Sequence, residues 1–250
     1  MSTHIYIQLG KLGDILNILP VCQADKLNGL DPTLMVSRKY ADILEGVSYV
    51  KPLIFDGEAH EIEQAVKIAQ ATGIQWKCTQ VCGPPKATLE YVYKRTAPGT
   101  PNGITDSWQK ESYRAAGQWG LWRKQPPLVF DKRNLERELA LWEQHCQPKR
   151  RSVLLALDGE TVPAPHKDLL VELITQRYKS RFQVLDLKGI KAERFYDFQT
   201  MFSKARCLVT SDSSFMHLAR AVPSMPVLAL QNDTPTPWHG AAWRPEHVFN

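Results

Sequence analysis

The sequence has no long apolar run. No stretch approaches the ~18 consecutive apolar residues of a membrane-spanning helix, so a transmembrane segment is not expected. The opening Met1-Ser2-Thr3-His4-Ile5-Tyr6-Ile7 lacks a basic stretch followed by an apolar core, so no signal peptide is expected there. Cysteine is scarce: 5 residues, an odd number without a disulfide spacing. Cys78 and Cys82 are close in sequence, but zinc would need two more ligands, and no His/Cys pair at finger spacing supplies them. Buried free thiols and a cytoplasmic location are expected, with Cys22 and Cys207 as core residues. Neither G-x-G-x-x-G nor a G-K-[ST] phosphate loop is present, which argues against a nicotinamide oxidoreductase or a P-loop nucleotidase. Repeats and low-complexity segments are also missing.

What remains is the composition of an ordinary folded protein, 43% hydrophobic and 23% charged. A length of 250 residues suits one large or two small domains. The net charge of +5 favours anionic partners such as phosphates, acidic glycolipid or nucleic acid, and chooses none of them. The one local basic run, Lys149-Arg150-Arg151, reads as a solvated linker.

Apolar periodicity alternates between strand and helix. Strands are expected at His4–Leu9, Thr33–Ser37, Val50–Phe55 and Ile74–Val81, with Pro52 pointing to an edge position. Helices are expected at Asp14–Leu27, with a kink or tolerant turn at Pro20, at Tyr40–Leu44 and at Glu61–Ala71. Residues 83–101 read as loop. Asp106–Trp122 reads as one helix whose Trp108, Tyr113, Trp119 and Trp122 could stack on bases or sugars, though packing is the commoner use. A helix at Leu135–Cys146 and a polar linker at residues 147–152 follow. The alternation then restarts with strands at Val153–Leu157, Phe182–Leu187, Cys207–Thr210 and Val227–Leu230. Its helices are Lys167–Tyr178, Arg194–Ala205 and Ser213–Ala221. Such alternation predicts an α/β protein of two Rossmann-like domains, 1–147 and 148–250, with parallel sheets facing a cleft.

Two segments carry the chemistry. Leu9-Gly10-Lys11-Leu12-Gly13-Asp14 joins the first strand to the first helix. Its glycines allow a tight turn and close approach to a ligand. Asp14 is either a helix cap or a carboxylate that takes a proton from a sugar hydroxyl. Val209-Thr210-Ser211-Asp212-Ser213-Ser214-Phe215-Met216-His217-Leu218-Ala219 runs from a strand through a polar loop into a helix. Exposed amides and serine hydroxyls at such a helix start suit a diphosphate. Capping by Asp212 or Ser213, and a buried hydrogen-bonded His217, are the plainer alternatives.

Together these segments resemble the lipopolysaccharide heptosyltransferases, glycosyltransferase family 9. Residues Ile5 to Pro20 look like that family's opening, and Ser211 to Ala221 followed by Pro226-Val227-Leu228-Ala229-Leu230 looks like its donor signature. The resemblance implies a GT-B fold and a sugar transfer with inversion from a nucleotide-diphosphate sugar, without metal or other cofactor. It implies Asp14 as general base and Gly10, Lys11 and Gly13 as the acceptor-side loop. Lys167, Asp212, Ser213, Ser214 and His217 would contact the donor. The implied acceptor is a glycan or glycolipid; a DNA base, and a binding scaffold without catalysis, stay open, as does peripheral membrane contact. Ser214 and Phe215 replace smaller residues of that family, which implies a crowded phosphate loop. Lys188 and Glu193 are the candidates for base or ribose contact in a shortened second lobe.

Overall fold

The structure, a computed structural model, describes residues 3–80, 108–124, 126–159, 164, 166–230 and 248–249. Contacts divide it into two units, the first running to Lys132 and the second opening at Arg133.

The first unit holds a parallel sheet of β1 (Thr3–Ile7), β2 (Asp31–Ser37), β3 (Lys51–Phe55) and β4 (Gln75–Cys78) in the order β3-β2-β1-β4. Central β1 is covered on both faces, as parallel sheets require. Ile5 and Ile7 pack with Ile62, Ala65, Val66 and Ala69 of α2 (Ile62–Ala71). Tyr6, pointing the other way, reaches α1 (Leu12–Leu27), where its hydroxyl donates to Asp25. Pro52 pairs opposite Leu34 on edge strand β3, where a missing N–H costs no ladder bond on the open side. Helix α1 continues through Pro20, its Ile15, Leu16, Ile18 and Leu19 wholly buried. The expected short helix near Tyr40 is a 3-10 segment, Arg38–Gly46.

The helix expected over Asp106–Trp122 is two helices, α3 (Trp108–Ala115) and α4 (Trp119–Arg123). Gly117, at φ 75°, breaks it. The Gln118 N–H reaches the Tyr113 carbonyl at 2.8 Å and the Gly117 N–H reaches Arg114 at 2.9 Å, the paired bonds of a Schellman end. This turn is anchored below: Gln118 Nε2 donates to Asp25 at 2.7 Å and Lys77 Nζ to the Ala116 carbonyl at 2.7 Å. Of the four aromatic residues considered as a stacking platform, three make packing or ring–cation contacts, and the Trp108 side chain lies outside the described residues. Tyr113 is buried edge-on to Trp122 at 5.7 Å, while Trp119 lies under Lys110 and Arg114 at 4.8 and 4.7 Å.

The second unit carries β5 (Ser152–Ala156), β6 (Gln183–Asp186), β7 (Cys207–Thr210), β8 (Val227–Leu230) and β9 (Val248–Phe249), all parallel, in the order β6-β5-β7-β8-β9. Strand β9 was not expected. Its helices are α5 (Leu135–His145), α6 (Lys167–Tyr178), α7 (Gln199–Lys204) and α8 (Ser214–Leu218). The sequence placed α5 before a boundary at 147; the contacts place it after Lys132. Charge pairing is the reason. Buried Glu138 accepts from Arg133, from the Thr200 N–H at 3.1 Å and from its hydroxyl at 2.7 Å. Arg137 grips Asp197 with two bonds, 2.6 and 2.8 Å. The helix expected over Arg194–Ala205 is a 3-10 turn, Phe195–Phe198, followed by α7. Among the described residues no helix is long and apolar enough to cross a membrane. Residues 83–101 and Cys82 lie outside the described residues.

At the start of β2, Asp31 accepts from Lys26 at 2.8 Å and also from Lys51, and these contacts hold its carboxyl down to about 2. The unfolded chain therefore takes up a proton first as pH falls, and stability from this group is present above the ordinary carboxylate pKa and lost on the way down. Urea unfolding of the native chain and Asp31→Asn should show a native advantage at pH 5 that disappears as pH falls through about 2.

Candidate functional site

In each sheet the chain reverses its direction of travel once, and there two neighbouring strands send their following loops apart. In the first sheet this lies between β1 and β4, in the second between β5 and β7. The expected site residues collect at the carboxyl ends of these strand pairs, apart from His217, which is set back in helix α8.

Beyond β1, buried Gln8 organises the turn. Its Nε2 donates to the Thr79 carbonyl beyond β4 at 3.2 Å, and its Oε1 accepts from the Gly10 N–H at 3.2 Å. The Thr79 hydroxyl donates to the Ile7 carbonyl at 3.1 Å. Helix α1 then opens at Leu12 with Lys11 as N-cap, so Asp14 is its third residue. Its Oδ2 accepts from the Lys11 N–H at 3.0 Å, the reach-back half of a capping box. Gly10 makes room for it: a Cβ there would lie 2.4 Å from Asp14 Oδ2. Asp14 is half-buried, Gly13 likewise, and Lys11 is exposed. Asp14 therefore serves as the helix cap, held by the turn at the strand's end. Gln8 was missed in the sequence; its only signal was a polar residue inside an apolar strand run.

Beyond β5, Asp158 gathers two lysines. Lys167 Nζ, at the first position of α6, bonds one carboxylate oxygen, and Lys188 Nζ lies 3.3 Å from the other. Lys167 foremost, then Lys188, lowers the Asp158 pKa, and Asp158 in turn raises that of Lys167. Lys188 sits on a 3-10 turn after β6 that begins with Leu187, where the Asp186 carboxylate accepts its N–H at 3.0 Å. Glu193, the other residue considered for base or ribose, is elsewhere, 3.2 Å from Arg137. The residue before α6, His166, adopts φ 53°, a strained backbone for a non-glycine residue, and introduces Lys167.

The loop after β7 adjoins this cluster. The Gly159 N–H donates to Ser211 Oγ at 3.2 Å, and the Ser211 N–H to the Ala156 carbonyl at 3.1 Å. Ser213 Oγ pairs with Thr210 Oγ1 at 2.8 Å, and Ser213 and Ser214 are half-buried. The helix expected over Ser213–Ala221 is shorter, α8 followed by a 3-10 turn at Ala219–Ala221. A five-residue helix offers little dipole to an anion. Phe215 does not crowd the loop. Its ring turns into a cluster with Phe195 and Phe198, centroids 4.9 and 5.0 Å away. His217 is 8% exposed, with Nε2 3.8 Å from Asp212 Oδ1. Burial, and then Arg220, lowers its pKa to about 3, so the ring is neutral in ordinary buffers. Among the described residues no group of three or more His, Cys, Asp or Glu could hold a metal ion.

No family model and no curated protein matches the sequence. Solved structures do match in fold. A glycosyl transferase family 9 structure from Veillonella parvula aligns with TM-score 0.60 and 11% identity over 99% of this chain and 85% of its own. The ADP-heptose lipopolysaccharide heptosyltransferase II of E. coli gives 0.61 and 14% over 96% and 89%. E. coli heptosyltransferase WaaC with ADP gives 0.54 and 11% over 93% and 88%. At such identity the likeness is one of fold: two Rossmann-like units of the GT-B glycosyltransferase kind.

Two outcomes follow from the geometry. Asp14→Ala removes the cap acceptor and should lower unfolding free energy by about 1 kcal/mol, while Asp14→Asn keeps an acceptor oxygen and should melt close to the native chain. The second concerns His217, which unfolded takes a proton near 6.5 and folded only near 3. Between these values the unfolded state binds more protons, so stability falls as pH is lowered. Histidine NMR should show one ring that stays neutral at pH 5, and His217→Gln should flatten the acid-side loss of stability.

Proposed function

We propose that this chain is a glycosyltransferase that moves a sugar from a nucleotide-diphosphate donor to a hydroxyl of a glycan acceptor of lipopolysaccharide type. The observation that carries this reading is the convergence of Lys167 and Lys188 on Asp158 beside the Thr210–Ser214 hydroxyls. It lies where doubly wound sheets bind nucleotides, in a chain whose fold matches such transferases.

In this reading the second unit holds the donor. The two lysines and the loop hydroxyls meet the diphosphate and stabilise the charge that develops as it departs. That supply of positive charge lets the transfer proceed without a metal. Asp14, fixed by its own cap over Gly10, takes the proton from the acceptor hydroxyl, with Lys11 and Gly13 lining the same turn. The hydroxyl oxygen attacks the anomeric carbon as the diphosphate leaves, which inverts that centre. Neutral His217 supports Asp212 from within rather than meeting phosphate as a cation. Two of the matched structures are named for ADP-heptose or hold ADP, so an ADP-linked heptose is the first donor to test.

Two alternatives each lose one support. Trp119 and Trp122, among the grounds for a nucleic-acid acceptor, make packing contacts and contacts to cations of their own segment. Phe215, one of two residues expected to crowd the loop and so favour a scaffold without catalysis, points into the aromatic cluster.

A thermal-shift panel of ADP, UDP, GDP and their sugar conjugates should single out one nucleotide. A ligand specific to the folded state adds about 2.7 kcal/mol at 100 times its dissociation constant. With that donor and a lipopolysaccharide core acceptor, Asp14→Asn should turn over ~10²–10⁴-fold more slowly while melting normally. Native turnover in Asp14→Asn would remove the base assignment, and no shift with any nucleotide would remove the donor site.

A further inference from the structure

Asp158 is the unexpected member of the donor cluster. A carboxylate repels a diphosphate, yet here it stands at the end of central β5, with one oxygen toward each lysine. It is not a casual surface ion. Three elements bring the charges together: the exit of β5, the first turn of α6 and the turn after β6. The adjoining Gly159 N–H is tied to Ser211, so Asp158 is also fastened to the donor loop. Other charges near the cluster are Asp168, next along α6, and Asp186, whose carboxylate caps the Lys188 N–H. Lys188 is 62% exposed at its side chain and Lys167 31%, so both long stems can turn toward a ligand.

We propose that Asp158 is a built-in counter-anion that holds Lys167 and Lys188 together until the donor diphosphate displaces it. This rests on the donor reading above and deepens it. The charge count shows what displacement requires. Two lysines and one carboxylate leave a single net positive charge. A ligand with little more charge than the carboxylate gains little by replacing it. A diphosphate brings enough charge, on two phosphoryl groups, to meet both lysines at once. When the product diphosphate departs, the carboxylate returns and assists its release.

Calorimetric titration of the full chain with ADP, AMP, pyrophosphate and inorganic phosphate tests this on native protein, Asp158→Asn and Lys188→Met. Asp158→Asn should bind ADP and pyrophosphate more tightly by about tenfold, the scale of one charged contact, and AMP and phosphate by no more than that. Lys188→Met should weaken ADP and pyrophosphate by a similar factor with an unchanged melting temperature. An Asp158→Asn protein that folds normally and binds ADP no more tightly than the native chain overturns the proposal. If that variant fails to fold, native ADP affinity in Lys188→Met overturns it instead. Donor turnover with native ADP affinity in Asp158→Asn would sink the counter-anion and leave the transferase standing. The expected pattern with pyrophosphate and phosphate, but no binding of any nucleotide, would do the reverse. No binding of any of these anions would remove both.

Discussion

A parallel strand covered on both faces has no room for charge along its length, and the arrangement of this protein follows from that constraint. Ile5, Tyr6 and Ile7 of β1 and Val153, Leu154 and Leu155 of β5 are all buried, and Tyr6 is admitted only because Asp25 accepts its hydroxyl. Polar chemistry is pushed to the carboxyl ends. There the next residues are Gln8, Gly10 and Asp14 in one unit and Asp158 and Gly159 in the other. The strand order opens a space at each of these ends by sending the flanking connections in opposite directions.

The two ends use that space differently. At β1 the groups are locked by the backbone: Gln8 bridges two loops, and Asp14 leans over a glycine to cap its own helix. A carboxylate so held loses little freedom when it meets an acceptor, which suits a base that must be in place before reaction. At β5 the charges sit on long, partly exposed stems that meet at Asp158. That suits a group which must be bound, stabilised as it gains charge, and released.

Much of this was legible in the sequence because it depends on local signals. Strand and helix alternation, the edge position marked by Pro52, and the turn through Gly10 to Asp14 are written in short windows. What escaped depends on contacts between distant residues. Helix α5 joins the second unit through Arg133, Arg137, Glu138 and Asp197, whose pairing no periodicity reveals. Lys188 and Asp158 meet only because β5 and β6 are neighbours. Phe215 looked obstructive in its motif and becomes ordinary once Phe195 and Phe198 are beside it. Gly117 was visible, but its left-handed break came from a pair of bonds back into α3.

The central claim is that the carboxyl edge of β5 and β7 takes a nucleotide diphosphate, and a crystal structure with ADP bound tests it most directly. The account predicts phosphate oxygens within hydrogen-bond reach of Lys167 and Lys188, beside Ser213, with the Asp158 carboxylate moved off at least one lysine. ADP lodged at another place, or present there with Asp158 still bonded to both lysines, would contradict it.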